Sequence, residues 1–174
     1  ALVSLGLDMP EDAPDFERNR LRLLELYGEV LGTMASPYPG IESLLAQLQA
    51  QGVAWGISTN KPRAYTAPLL EKLAIQPPPG SVVCPDDVRH RKPPPESLYL
   101  NCRELGCAPH EAIYVGDHQR DIVAGRAAGM YTIAASYGYI EAGDDPQRWG
   151  ANAQAHHSTD LLELILGSRQ QDIA

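Results

Sequence analysis

Asp117 and Asp121 stand four residues apart in Gly116-Asp117-His118-Gln119-Arg120-Asp121, directly after the apolar run at 112–115. Where a strand runs into a helix, that spacing turns two carboxylates toward one face. Two such groups are hard oxygen donors of the kind that hold Mg²⁺. The same positions also suit a helix cap and a first-turn acid facing the helix dipole. A second cluster is Ser58-Thr59-Asn60-Lys61-Pro62, at the end of the apolar run that begins at Val53. A hydroxyl beside the free N–H groups of a helix start makes an anion site, and the same types are ordinary caps. The third cluster is Arg89-His90-Arg91-Lys92-Pro93, dense in positive charge within an acidic chain. Three prolines follow Lys92 and hold its point charge on a stiff support, suited to a phosphate or carboxylate. A solvated loop stopped by prolines carries the same letters.

These residues need a frame. Leu21, Leu24, Tyr27 and Leu31 recur at helical spacing, which predicts a helix over residues 15–31. The segment SPYPG at 36–40 reads as a linker. Beyond it, helices are expected over 41–50, 62–73, 96–105, 121–128 and 160–166, and short apolar strands over 53–58, 81–84, 112–116 and 130–135. Pro62 is expected at the first helical position, where no hydrogen bond is lost. Strands alternating with helices imply an α/β fold, with a parallel sheet covered on both faces. Ligands of such sheets bind beyond the carboxyl ends of the strands, where Thr59 and Asp117 both fall.

Composition removes several functions. The 174 residues hold 14 Lys and Arg against 22 Asp and Glu, a net charge of −8. Nucleic-acid binding by phosphate neutralisation needs the opposite balance. No apolar run reaches the ~18 residues of a membrane helix. Cys84, Cys102 and Cys107 are odd in number with no two-residue spacing, which fits free thiols in a reducing cytoplasm. His156 and His157 read as solvated turn residues, and no Gly-x-Gly-x-x-Gly follows any strand to hold a dinucleotide.

A hydroxyl at one strand end, a lysine on a later loop and Gly-Asp-x-x-x-Asp at a further strand end, in that order, resemble the haloacid dehalogenase superfamily of phosphohydrolases. The resemblance runs from about Ala1 to Leu166. It implies that Thr59, with Asn60 beside it, binds phosphate, that Lys92 neutralises it, and that Asp117 and Asp121 hold Mg²⁺. Thr59, Lys92 and Asp117 form the catalytic set implied for this chain. TNKP (59–62), VCPDDV (83–88), RKPPPESL (91–98), YVGDHQRDI (114–122), AGRAAGM (124–130) and YGYI (137–140) look like the phosphoglycolate-phosphatase-like branch. Within it they are most like the N-acetylmuramic acid 6-phosphate phosphatases of cell-wall recycling. The implied architecture is a Rossmann-like parallel sheet (37–174) behind a remnant of a helical cap (1–36). The implied partner is a small phosphorylated metabolite, phosphoglycolate or a sugar phosphate, without nucleic acid or membrane.

The sequence departs from that pattern in one place. The family's first strand ends in Asp-x-Asp-Gly-Thr, and this sequence contains no Asp-x-Asp. Asp8 follows an apolar run, but position 10 is Pro and no Gly-Thr comes after it, so Asp8 is expected in a loop between cap helices. The resemblance therefore implies a chain that starts inside the cap, without the strand that sits between those carrying Thr59 and Asp117. Such a chain is expected to be inactive alone, as a fragment of a Mg²⁺-dependent phosphomonoester hydrolase. The competing expectation is a non-catalytic module that keeps the phosphate pocket.

Overall fold

The computed structural model describes residues 6, 9, 10 and 12–171, so the loop expected at Asp8 lies outside the described residues. The helical stripe read from Leu21 onward forms α1 (Phe16–Val30), and the SPYPG break leads into α2 (Ile41–Ala50). There follow β1 (Gly56–Ser58), α3 (Arg63–Leu73), β2 (Ser81–Val83), α4 (Glu96–Leu105) and β3 (Ile113–Gly116). The chain ends with α5 (Gln119–Ala128), β4 (Tyr131–Ala135), β5 (Ala153–Ala155) and α6 (Leu161–Gln171).

Several boundaries move for local reasons. The first strand starts at Gly56, because the Val53 N–H is drawn back to Leu48 O at the end of α2. Pro62 is the cap of α3 and not its first residue, with an extended ψ of 147°. Helix α5 starts at Gln119 because His118 caps it, its Nδ1 accepting the Arg120 N–H at 3.2 Å. The last helix is entered through a 3₁₀ turn at 158–160 and continues to Gln171. Strand β5 carries no apolar run in the sequence. It is aligned by its neighbour Asn152, whose Oδ1 accepts both the N–H and the hydroxyl of Thr132 at 2.8 and 2.9 Å.

All the strand pairs are parallel, as the alternating elements require. They form two sheets, β1-β2 and β3-β4-β5. Side chains alternate across β3. Tyr114 packs with Leu98 and Cys102 of α4 and Ala124 of α5, while Ile113 and Val115 pack with Leu44, Leu45 and Leu48 of α2 and with Leu161 of α6. The sheet is thus covered on both faces. Ile122 and Ile133 are fully buried and each contributes about 2 kcal/mol of transfer free energy. Helix α1 buries none of its residues, although Leu31 just beyond it is buried and its carbonyl accepts from Lys72 Nζ at 2.5 Å.

The sheet is divided between β1 and β3. Backbone groups along a strand point alternately to its two edges. The Thr59 N–H donates to Val83 O, so Ser58 faces the edge away from β2. The Tyr131 N–H donates to Ala112 O, so Ile113 and Val115 face away from β4. Among the described residues no strand pairs with either outer edge.

The thiols are free, Cys84 and Cys102 buried and Cys107 half-buried. Burial, then the neighbouring Cys107, pushes the Cys102 thiol up to about 11. His156 and His157 donate their backbone N–H groups to Asp160, at 3.0 and 2.8 Å. Among the described residues no helix is long and apolar enough to cross a membrane.

Two predictions come from this packing. A Cβ built on Gly125 of α5 would meet Thr132 Cγ2 at 2.6 Å, so only glycine lets α5 lie this close to β4. Gly125→Ala should lower stability by about 1–3 kcal/mol in urea unfolding. At the end of β2, Asp87 accepts the Cys84 N–H at 2.7 Å and pairs with Arg63 of α3. That N–H, and then Arg63, hold its carboxyl below the usual range. The folded state therefore takes up this proton less readily than the unfolded chain. The stabilisation is complete above pH ~4 and is lost as pH falls through the depressed folded value. Asp87→Asn should cost about 1 kcal/mol at pH 7 and make the acid unfolding curve shallower below pH 4.

Candidate active site

The carboxyl ends of β1 and β3 open into one cavity of about 490 Å³, into which the loop bearing Lys92 also reaches. At the first corner the Thr59 N–H continues the β1-β2 ladder, and Thr59 Oγ1 accepts the Lys61 N–H at 3.0 Å. That closes a tight turn and leaves the Thr59 hydroxyl proton free to donate to a ligand. Asn60 is used differently. Its Nδ2 donates to Lys92 O at 3.1 Å and its Oδ1 accepts the Lys92 N–H at 3.1 Å. Each end of the Asn60 amide thus engages the Lys92 backbone and positions the lysine, while the second Nδ2 proton is left over in a residue that lines the cavity.

Lys92 is buried and fully satisfied. Its Nζ donates to Ser58 O at 2.7 Å and to the Tyr114 hydroxyl at 2.6 Å, and pairs with Asp121 Oδ1 at 2.9 Å. Ser58 O lies on the outer edge of β1, Tyr114 is on β3 and Asp121 is on the first turn of α5. One ammonium group thus spans the division between the sheets. Burial, and then the charge of Asp121, holds the Tyr114 phenol well above the ordinary tyrosine range, so it stays protonated. Tyr114 carries no signal as a site residue in the sequence beyond being the polar tip in an otherwise apolar strand.

Asp121 fits its place because residue 116 is glycine: a Cβ there would lie 2.3 Å from Asp121 Cβ. Asp117 sits one residue before the α5 cap, and the expectation of Asp117 as a cap gives way to His118. Its Oδ2 accepts the Tyr139 N–H at 3.2 Å, from the loop after β4. Gly138 permits that approach, since a Cβ there would lie 2.3 Å from Asp117 Cβ. Tyr139, His118, Arg120, Glu141 and Lys61 also line the cavity. Reading the motifs singly missed them, although Lys61 and Tyr139 lie inside TNKP and YGYI.

Lys61, Lys92 and Arg120 face Asp117, Asp121 and Glu141, so the cavity is locally balanced in a chain of net charge −8. Among the described residues no group of three or more His, Cys, Asp or Glu side chains gathers to hold a metal. Asp117 and Asp121 do share the cavity, and Mg²⁺ commonly keeps several waters and takes only one or two carboxylates beside a substrate phosphate. Asp117 and Asp121 are therefore donors of a kind and number compatible with Mg²⁺.

The ion pair sets a test of this arrangement. Lys92→Met strands the Asp121 carboxylate and should cost about 3–5 kcal/mol in urea unfolding. In the double variant with Asp121→Asn, much of that loss should be recovered, giving a coupling energy well above that of a surface pair.

The profile of the haloacid dehalogenase-like hydrolases matches residues 9–135. An N-acetylmuramic acid 6-phosphate phosphatase from Pseudomonas aeruginosa is 38% identical over 165 residues, 95% of this chain and 73% of that protein. A phosphoglycolate phosphatase from Xanthomonas campestris is 38% identical over 140 residues, 80% of this chain and 63% of its own length. Among solved structures, a "predicted phosphoglycolate phosphatase" from Haemophilus somnus superposes with a TM-score of 0.83 at 25% identity, covering 93% of this chain and 72% of that one. With Thr59, Lys92, Asp117 and Asp121 converging as described, the chain belongs to the haloacid dehalogenase-like hydrolases.

Proposed function

We propose that this chain carries the phosphate and Mg²⁺ site of a phosphomonoester hydrolase whose nucleophile is supplied by a segment outside the sequence. The observation that carries this reading is the meeting of Thr59, Lys92, Asp117 and Asp121 in one cavity. The relatives named above support a phosphatase, and the substrates in their names each combine a phosphate with a carboxylate. A small cytoplasmic metabolite of that kind, phosphoglycolate or N-acetylmuramic acid 6-phosphate, is the proposed substrate, the second placing the enzyme in cell-wall recycling. Residues 1–36 are proposed as part of a cap and 37–174 as the catalytic core.

In this reading the Thr59 hydroxyl donates to one phosphate oxygen. Lys92, held by Asn60, turns its ammonium from Ser58 O toward the phosphate and stabilises the charge that develops in the transition state. Asp117 and Asp121 hold Mg²⁺, which supplies charge neutralisation at the phosphate when bound. An aspartate of an Asp-x-Asp segment attacks phosphorus as the ester O–P bond breaks. The second aspartate protonates the leaving oxygen, and water then cleaves the aspartyl-phosphate. Asp121 is already paired with Lys92 and one oxygen of Asp117 accepts from Tyr139, so both are assigned to the metal and the attack to another carboxylate.

The test is complementation. The chain alone should bind inorganic phosphate in the presence of Mg²⁺ and hydrolyse neither candidate substrate. A strand ending in Asp-x-Asp-Gly-Thr, joined ahead of Ala1, should bring Mg²⁺-dependent hydrolysis. Asp117→Asn in that protein should lower the rate by at least about 100-fold. Ligand binding without turnover in the joined protein would favour a non-catalytic phosphate-binding module instead.

A further inference from the structure

Lys61 is a further cation in the cavity, and among the described residues no carboxylate is paired with its charge. Its backbone N–H closes the Thr59 turn. Its side chain runs the other way, toward α1. The Lys61 ammonium lies 4.7 Å from the centroid of the Tyr27 ring and donates a hydrogen bond to the Tyr27 hydroxyl. Tyr27 is in turn braced edge-on by Tyr65 of α3, with ring centroids 5.5 Å apart. Among the described residues no carboxylate pairs with Lys61, whereas Lys92 is matched by Asp121.

This arrangement differs from a solvated surface lysine. The side chain is half-buried, it rests on the Tyr27 ring that Tyr65 braces, and it lines the cavity that holds Thr59 and Lys92. The single neutral acceptor, Tyr27 Oη, takes one of three ammonium protons and leaves two for a ligand. A held ammonium without a counter-charge, in the same cavity as a phosphate site, selects for a second negative group on the ligand. A cavity of about 490 Å³ has room for more than a phosphate.

We infer that Lys61 is a specificity-determining residue that receives a carboxylate carried by the phosphorylated substrate, with Tyr27 of α1 as the residue that positions it. The inference rests on the reading of the Thr59–Lys92 end as the phosphate site. It gives α1 a purpose that its packing does not, since none of its residues is buried.

The probes are phosphoglycolate and ethyl phosphate, near in size and differing in the carboxylate. Binding to the full chain is measured calorimetrically with Mg²⁺ present. The wild-type chain should bind phosphoglycolate about tenfold more tightly than ethyl phosphate, the scale of one charge-assisted hydrogen bond. Lys61→Met keeps the apolar stem on the Tyr27 ring and should abolish that preference while leaving ethyl phosphate within about twofold. Lys61→Arg should retain most of the preference. Tyr27→Phe, which keeps the ring and removes the acceptor, should weaken it, a second reading that does not depend on the lysine variants. Equal affinity for the two probes in the wild-type chain would overturn the inference. So would a preference that survives Lys61→Met, which would hand the carboxylate to Arg120, or an equal loss of both probes, which would place Lys61 on the phosphate. Failure of every probe to bind would instead bring down the phosphate site, and this inference with it.

Discussion

The Lys92 ammonium holds the two halves of the sheet together at the site. No backbone pairing joins β1 to β3 among the described residues, so their relative position at the carboxyl ends depends on side chains. Lys92 supplies the link by donating to β1 through Ser58 O and to β3 through Tyr114 while pairing with α5 through Asp121. A buried charge is tolerated only when it is paired and its donors are matched, and here three protons meet three acceptors. The surrounding sequence serves that arrangement. Asn60 clamps the Lys92 backbone, Gly116 admits Asp121, and Gly125 brings α5 onto β4.

The same balance explains how an acidic chain can host an anion site. A net charge of −8 repels phosphates at long range, but the repulsion is screened over about 8 Å at physiological salt. Within the cavity the formal charges of the lysines, arginine and carboxylates cancel. A bound phosphate dianion is therefore favoured by local geometry: the free proton of Thr59 and the Lys92 ammonium. Mg²⁺ at Asp117 and Asp121 would shift that local balance further toward anions.

The sequence made the frame legible wherever a physical signal was local. Helix α1 follows from the spacing of Leu21, Leu24 and Tyr27, and α2 from the break at SPYPG. The parallel pairing follows from short apolar strands between helices. Boundaries moved where a single hydrogen bond decided them, as at Val53 and His118. Strand β5 was illegible because its alignment comes from Asn152 gripping Thr132, a contact 20 residues away in sequence. In the site, residue types and order located Thr59, Lys92, Asp117 and Asp121, but not what each side chain touches. Asn60 reads like an anion ligand, and the fold also uses it as a clamp on the Lys92 backbone. Tyr114 and Tyr27 act through partners brought near only by the fold, so no spacing rule could have marked them.

The commitments of the cavity side chains also separate binding from chemistry. A nucleophilic carboxylate needs a free lone pair aimed at phosphorus and no stronger partner holding it back. Asp121 is held by a buried ammonium, and one oxygen of Asp117 accepts a backbone N–H. Freeing Asp121 to attack would leave Lys92 as an uncompensated buried charge, at several kcal/mol. Thr59, by contrast, has a proton to give, and Lys92 can exchange the Ser58 carbonyl for a phosphate oxygen without losing its ion pair. In the proposed reading the residues present thus receive an anion and steady a charge. In the proposed reaction the attacking group comes from a further segment, and among the described residues no strand pairs with the facing edges of β1 and β3.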